Sequence, residues 1–164
     1  MNQPAISNAA LHLSGEIYTP EERRRRDGTI WTLVQAVLAP LQFLVFLVSL
    51  SLVSRALVTG DGYALANLSV LVKTLVLLTI MVTGAIWEKV VFGQYLLAPS
   101  FFWEDVVSFA VIALHLAYVW ALFTDALTPQ ALLWLALLAY AAYMVNAAQF
   151  LLKFRRARLS REVS

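Results

Sequence analysis

The chain has 164 residues, of which 61% are hydrophobic and only 13% charged, with a net charge of +2 and no cysteine. So few charges cannot cover a soluble domain of this size, which leaves a lipid bilayer as the natural solvent. The lack of cysteine excludes disulfides, thiolate metal sites and iron–sulfur clusters, and two histidines are too few for a di-haem or di-iron centre.

The first residues are polar and do not form the basic patch and apolar run of a signal peptide, so insertion is expected to use the first spanning helix. Thr19-Pro20-Glu21-Glu22 has the form of a helix start, with Thr19 as cap, Pro20 at the first position and Glu22 reaching back. It predicts a short surface helix carrying Arg23 to Arg26 within a polar cytoplasmic segment, 1–30. Those arginines read as orientation signals and contacts for anionic lipid. Gly28 to Ser54, Val106 to Thr124 and Ala126 to Leu152 hold no charge at all, and the stretch from Ala64 to Trp87 holds only Lys73. Each is long enough to span. The prediction is an all-α, polytopic membrane four-helix bundle over 31–153, with helices near 31–54, 65–88, 105–124 and 131–153 and a basic cytoplasmic tail, 154–164. Pro40 should kink the first span, which neighbouring helices can tolerate. Lys73 lies about two turns from one surface and is predicted to stretch towards Asp61 or water.

Orientation follows from the basic residues. Ten of the twelve lie at Arg23 to Arg26, Lys89, Lys153, Arg155, Arg156, Arg158 and Arg161, while the opposite loops hold only Arg55, beside Asp61 and Asp125. Both termini are therefore expected in the cytoplasm.

The segment joining the second and third spans carries the most information. Fourteen uncharged residues, Val90 to Trp103, separate Lys89 from Glu104. They are too apolar for a solvated loop and too short to cross, which predicts an interfacial or re-entrant segment broken by Gly93 and Pro99. Trp87, Tyr95, Phe101, Phe102 and Trp103 are either an interfacial belt or one wall of a site for a flat apolar ligand.

Ionisable and amide groups in lipid are costly, and each is a candidate for function or for packing between helices. Glu88, Glu104 and Asp105 are predicted to gather on one side of the bundle with Gln35, Asn146 and Gln149. Glu104 and Asp105 suit the positive end of a helix; Glu88 sits at a negative end and needs compensation, with Lys89 the nearest source. His115 lies mid-span, able to ligate the metal of a tetrapyrrole or to bond a neighbouring helix. No phosphate-binding loop, GxSxG or HExxH motif is present. An enzyme built from these parts works by proton transfer, as in hydration or isomerisation, rather than redox.

Four runs carry a resemblance: Ala39 to Phe46, Met81 to Tyr95 (with WEKVVFGQY), Phe101 to Asp105 (FFWED) and Asn146 to Lys153. Together they resemble the 3-vinyl (bacterio)chlorophyllide hydratase family of bacteriochlorophyll biosynthesis, over roughly residues 18 to 155. The resemblance implies a hydro-lyase adding water across the C3 vinyl group of a chlorophyllide to give a 1-hydroxyethyl group. It implies a bacterial inner (cytoplasmic or intracytoplasmic) membrane. The expected partners are a magnesium-containing tetrapyrrole substrate, membrane lipid and neighbouring pigment-biosynthesis enzymes, with no nucleic acid. No cofactor is expected, and no metal beyond the substrate's own magnesium, for which His115 is a candidate ligand. Protonating a vinyl carbon needs an acid, and the water that follows needs a base. Glu88, Glu104 and Asp105 are the candidate catalytic groups, Glu104 first as acid and Glu88 for water. Trp87, Lys89, Tyr95, Phe101, Phe102, Trp103, His115, Gln35, Asn146 and Gln149 are the candidate substrate-binding residues. The competing classes are a non-enzymatic pigment-binding or assembly protein and a small transporter or lipid-binding subunit.

Overall fold

The computed structural model describes residues 17–162. The first helix, α1 (Pro20–Gly28), begins where the sequence places it: the Glu22 amide donates to the Thr19 hydroxyl at 3.1 Å and the Thr19 amide to the Glu22 carboxylate at 2.8 Å. Thr29 ends α1 and at once caps α2 (Ile30–Thr59), its hydroxyl accepting from the Trp31 amide. Gly60, with a left-handed φ of 74°, stops α2 before α3 (Tyr63–Phe92) returns. Then come α4 (Phe102–Phe123) and α5 (Pro129–Glu162).

Four of these helices are long and apolar enough to cross a membrane. The shortest, α4, has 22 residues, about 33 Å of helix against roughly 30 Å of hydrocarbon. These are the four predicted spans, each extended at one or both ends. Helical hydrogen bonding simply runs on through Arg55, Lys89 and Lys153, the charges that close the apolar runs. α2 continues through Pro40 in the same way.

The helices pack chiefly as two hairpins, α2 with α3 and α4 with α5; α2 against α5 and α3 against α4 close the bundle. Lipid cannot drive helices together by the hydrophobic effect, so close packing and polar contacts must do so. Ala56, Ala66, Ala136 and Ala139 are buried and let the backbones approach. Hydroxyls and amides then link helices: Ser49 lies 2.7 Å from Ser69 and 2.5 Å from the Tyr140 hydroxyl, and the Tyr118 hydroxyl donates to Asn67 at 2.7 Å. Leu44, Val48, Leu75, Val82 and Leu138 face outward, as a lipid-bathed surface requires.

Lys73 does not stretch towards Asp61 or water. It is fully buried, its ammonium 3.6 Å from the centre of the Tyr143 ring, with no hydrogen-bond partner. Its spacing from Ala66, Val70 and Leu77 puts it on the inward stripe of α3, and a side chain on that stripe has no route to the surface.

Candidate active site

The site lies at the end of the bundle where residues 17–28 and the C-terminal part of α5 meet the α3–α4 connection. Glu88 is in the last turns of α3. Gly93, with φ 86°, terminates that helix in the left-handed conformation, and the Lys89 ammonium donates to the Gly93 carbonyl at 2.7 Å. Eight more residues turn the chain round and deliver Glu104 and Asp105 in the first turn of α4. The helix break that the sequence signals at Gly93 and Pro99 thus has a purpose: it folds carboxyls sixteen and seventeen residues from Glu88 back towards it.

The Glu88 and Asp105 carboxyl groups lie against each other and are 5% and 4% exposed. Two buried carboxyl groups in contact repel each other when both are ionised, so sharing one proton is the favoured resting arrangement for such a pair. The helix fields say where it rests. Asp105 sits at the positive N-terminal end of α4, which favours carboxylate, while Glu88 sits at the negative C-terminal end of α3. Glu88 therefore donates and Asp105 accepts. The connection completes the arrangement with two consecutive amides, Leu97 donating to Asp105 Oδ2 at 2.7 Å and Ala98 to Glu88 Oε2 at 3.2 Å. Aiming them costs strain: Leu97 has a φ of 59°, a left-handed conformation worth about 1–2 kcal/mol in a residue with a Cβ.

Glu104 is held differently. Lys153 on α5 places its ammonium 2.5 Å from Glu104 Oε2, also donates to the Ser100 carbonyl, and lies 4.8 Å from the centre of the Phe101 ring. The Asn146 amide donates to the Glu104 carbonyl at 2.9 Å, and Ser108 bridges Glu104 and Asn146. Gln149, between Asn146 and Lys153 on the same stripe of α5, has a buried side-chain oxygen with no partner.

Beneath the connection lies an aromatic cluster. Phe101 is 1% exposed, with Tyr18, Trp87, Phe92, Phe150 and Phe154 at centroid distances of 5.7–6.3 Å. Trp87 is fixed by donating its indole N–H to Thr32 at 2.9 Å. Ser100 ties the N-terminal segment down through the Ile17 carbonyl at 2.8 Å.

The candidate residues thus divide. Glu88, Asp105, Glu104, Trp87, Phe101, Asn146 and Gln149 come together. Phe101 is a core ring rather than a ligand wall, because five other aromatics already cover it. Tyr95, Phe102 and Trp103 are exposed, Tyr95 and Trp103 by 61% and 68%. Lys89 is exposed and holds Gly93 and the Tyr95 ring, so it does not compensate Glu88. Gln35 donates to Thr83 at 2.8 Å, about 8 Å along α3 from Glu88. His115 is fully buried some 15 Å along α4 from Asp105, its Nδ1 on the Val111 carbonyl and its Nε2 without a partner. Sequence reasoning gives Lys153 only an orienting charge and overlooks Tyr18, Ser100 and Phe150. The signal for Lys153 was present: Asn146, Gln149 and Lys153 repeat at three and seven residues, one face of a helix.

A polytopic membrane protein with two buried carboxyl groups in contact, beside an aromatic cluster, has the parts for acid–base chemistry on an apolar ligand. Residues 18–156 match the family model described as 2-vinyl bacteriochlorophyllide hydratase. A protein of that name from Rhodobacter capsulatus is 68% identical over 144 residues, 87% of this chain and 83% of its own length. Another so named, from Cereibacter sphaeroides, is 65% identical over 159 residues, 96% of this chain and 97% of its own. No solved structure matches the chain. The chain belongs to the 2-vinyl bacteriochlorophyllide hydratase family.

Proposed function

We infer that this membrane hydratase adds water across the vinyl group of a chlorophyllide-type macrocycle, and that the Glu88–Asp105 pair moves the protons. The vinyl position is numbered 2 or 3 according to the macrocycle convention. The observation that carries the chemical part is the pair of buried carboxyl groups, Glu88 and Asp105, brought together by the α3–α4 connection whose consecutive amides bond them.

Hydration begins when Glu88 gives its proton to the terminal vinyl carbon, which becomes a methyl group. The electrons of the C=C bond form the new C–H bond, and cation character grows on the carbon attached to the ring. The macrocycle delocalises that charge, and the carboxylates of Asp105 and Glu104 stabilise it electrostatically. Water then forms a C–O bond at the cationic carbon. It returns one proton to the pair, now doubly ionised, leaving the 1-hydroxyethyl product. One proton leaves the pair and one comes back, so the same two carboxyls act as acid and then as base. The substrate's magnesium plays no part in the proton balance.

This reading moves the acid from Glu104 to Glu88, since an ion-paired carboxylate has no proton to give. Glu104 and the unpartnered oxygen of Gln149 provide acceptors for the attacking water. We place the α3–α4 connection at the cytoplasmic membrane surface with both termini on that side, supported by the ten basic residues there. At that surface Tyr95, Phe102 and Trp103 offer the exposed aromatic faces on which a macrocycle would lie.

The test uses purified full-length protein in lipid nanodiscs with 3-vinyl chlorophyllide, in deuterium oxide and separately in oxygen-18 water. The expected product carries one deuterium in its new methyl group and one labelled hydroxyl oxygen. Pigment that binds and is never hydrated supports the assembly-protein alternative.

A further inference from the structure

α1 carries four consecutive arginines, and the structure separates them. Arg25 pairs with Glu21 at 3.5 Å, and Arg26 pairs with Asp27 at 2.6 Å and lies 4.7 Å from the centre of the Tyr18 ring. Glu22 is occupied with the Thr19 amide. Every acid of α1 is thus engaged, and none of them holds Arg23. Its Nε is buried without a hydrogen-bond partner, on a helix that packs against α3. A buried guanidinium N–H left open is costly, because that group has given up water and gained nothing.

Arg23 also belongs to the segment that packs at the carboxyl pair's end of the bundle. Its amide bonds the Thr19 carbonyl, one helical turn back, and the neighbouring Tyr18 ring lies 6.3 Å from Phe101. The Phe101 amide bonds the carbonyl of Ala98, whose own amide is on Glu88. The segment that carries Arg23 therefore packs, through Tyr18, on the same ring whose amide adjoins the Ala98 contact to Glu88. A chlorophyllide is by definition the free acid of its pigment. It carries a carboxylate at one corner of the ring and the vinyl group at another.

We propose that Arg23 binds the substrate's free carboxylate and so selects the acid over its esters. This rests on the hydratase reading for the identity of the ligand, but the geometry concerns binding alone. A fork of N–H donors matches a carboxylate, and the ion pair sits at a partly dry surface where such pairs count. The remaining arginines keep the orienting role.

Equilibrium binding tests this without needing turnover. Pigment fluorescence quenching gives Kd for 3-vinyl chlorophyllide and for its propionate methyl ester, in nanodiscs of uncharged lipid and, separately, of anionic lipid. The wild type should bind the free acid about 10- to 100-fold more tightly than the ester. Arg23→Gln should lose that preference by weakening acid binding while leaving ester binding unchanged. Arg23→Lys should keep part of it, having the charge but not the fork, and a circular dichroism melt confirms that each variant is folded. Equal wild-type affinity for acid and ester overturns the proposal. So does an Arg23→Gln effect that is the same for both pigments, or one seen only when anionic lipid is present, which would assign the residue to headgroups. A normal acid preference in a protein that hydrates nothing would leave Arg23 its role and refute the hydratase mechanism instead.

Discussion

Glu88→Gln separates the proton chemistry from the architecture better than any other single change. A glutamine amide can accept from the Ala98 amide as Glu88 does at 3.2 Å, and its NH2 can donate to Asp105 where the carboxyl proton did. The structural cost should stay within about 1 kcal/mol, one neutral hydrogen bond exchanged for another. The chemical cost is much larger, because an amide has no proton to deliver. Loss of a general acid typically removes 100- to 10,000-fold in rate, or about 2.7–5.4 kcal/mol of barrier. Asp105→Asn should fall in the same range, because the pair then cannot take back the proton that water releases. Groups that act as one unit are not additive. The double variant Glu88→Gln/Asp105→Asn should therefore be about as slow as the worse single variant. Hydration is followed by the blue shift of the long-wavelength pigment band as vinyl conjugation is lost, with pigment binding and melting temperature measured alongside. Folded, pigment-binding single variants that hydrate at near wild-type rates would refute the carboxyl-pair mechanism. Fully multiplicative losses in the double variant would refute the claim that the two groups work as one.

Lys153→Met should destabilise the protein by about 3 kcal/mol, since it leaves Glu104 buried without its cation, and adding Glu104→Gln should recover more than half; thermal melts of both variants check this. Lys73→Met should be neutral or stabilising by about 1–4 kcal/mol, because it replaces a buried cation that has no anionic partner. The same variant should leave hydration unchanged, since Lys73 is about 22 Å along α3 from Glu88; lost activity in a well-folded Lys73→Met protein would bring the bundle core into the reaction. Phe101→Ala should cost about 3–5 kcal/mol of stability, whereas Trp103→Ala should change stability by no more than about 0.5 kcal/mol and weaken pigment binding. Reporter fusions at Gly60, Pro99 and Ser164 should read periplasm, cytoplasm and cytoplasm; a periplasmic Ser164 overturns the assigned orientation.

The spans were legible because a membrane imposes one rule, a long apolar run, and the charge-free stretches obey it. The cap at Thr19 was legible because its chemistry is local: four consecutive residues contain donor, acceptor and proline. What the sequence could not reveal is how side chains far apart in the chain face one another. Glu104 and Asp105 are adjacent in sequence and equally acidic, so nothing in the string says which partner each will meet. The distinction arises because adjacent residues on a helix point about 100° apart. One carboxyl then meets Lys153 from α5 and the other meets Glu88 from α3. The stripe that Lys153 shares with Asn146 and Gln149 was legible, but its partner was hidden for the same reason. As one of ten basic residues on one side it looked like an orienting charge, and only the packing of α5 against the first turn of α4 makes it a partner.

Lys73 shows a different limit. Counted from the surface, its depth allows a flexible stem to reach water. Counted from the helix face, it falls in line with Ala66, Val70 and Leu77, all buried. The second count wins because a side chain pointing into a closed bundle would have to pass through its neighbours to escape. The face of the helix, more than the distance to the interface, decides the fate of an intramembrane charge. By the same argument Glu88 and Asp105, near the ends of their spans yet on inward faces, are buried.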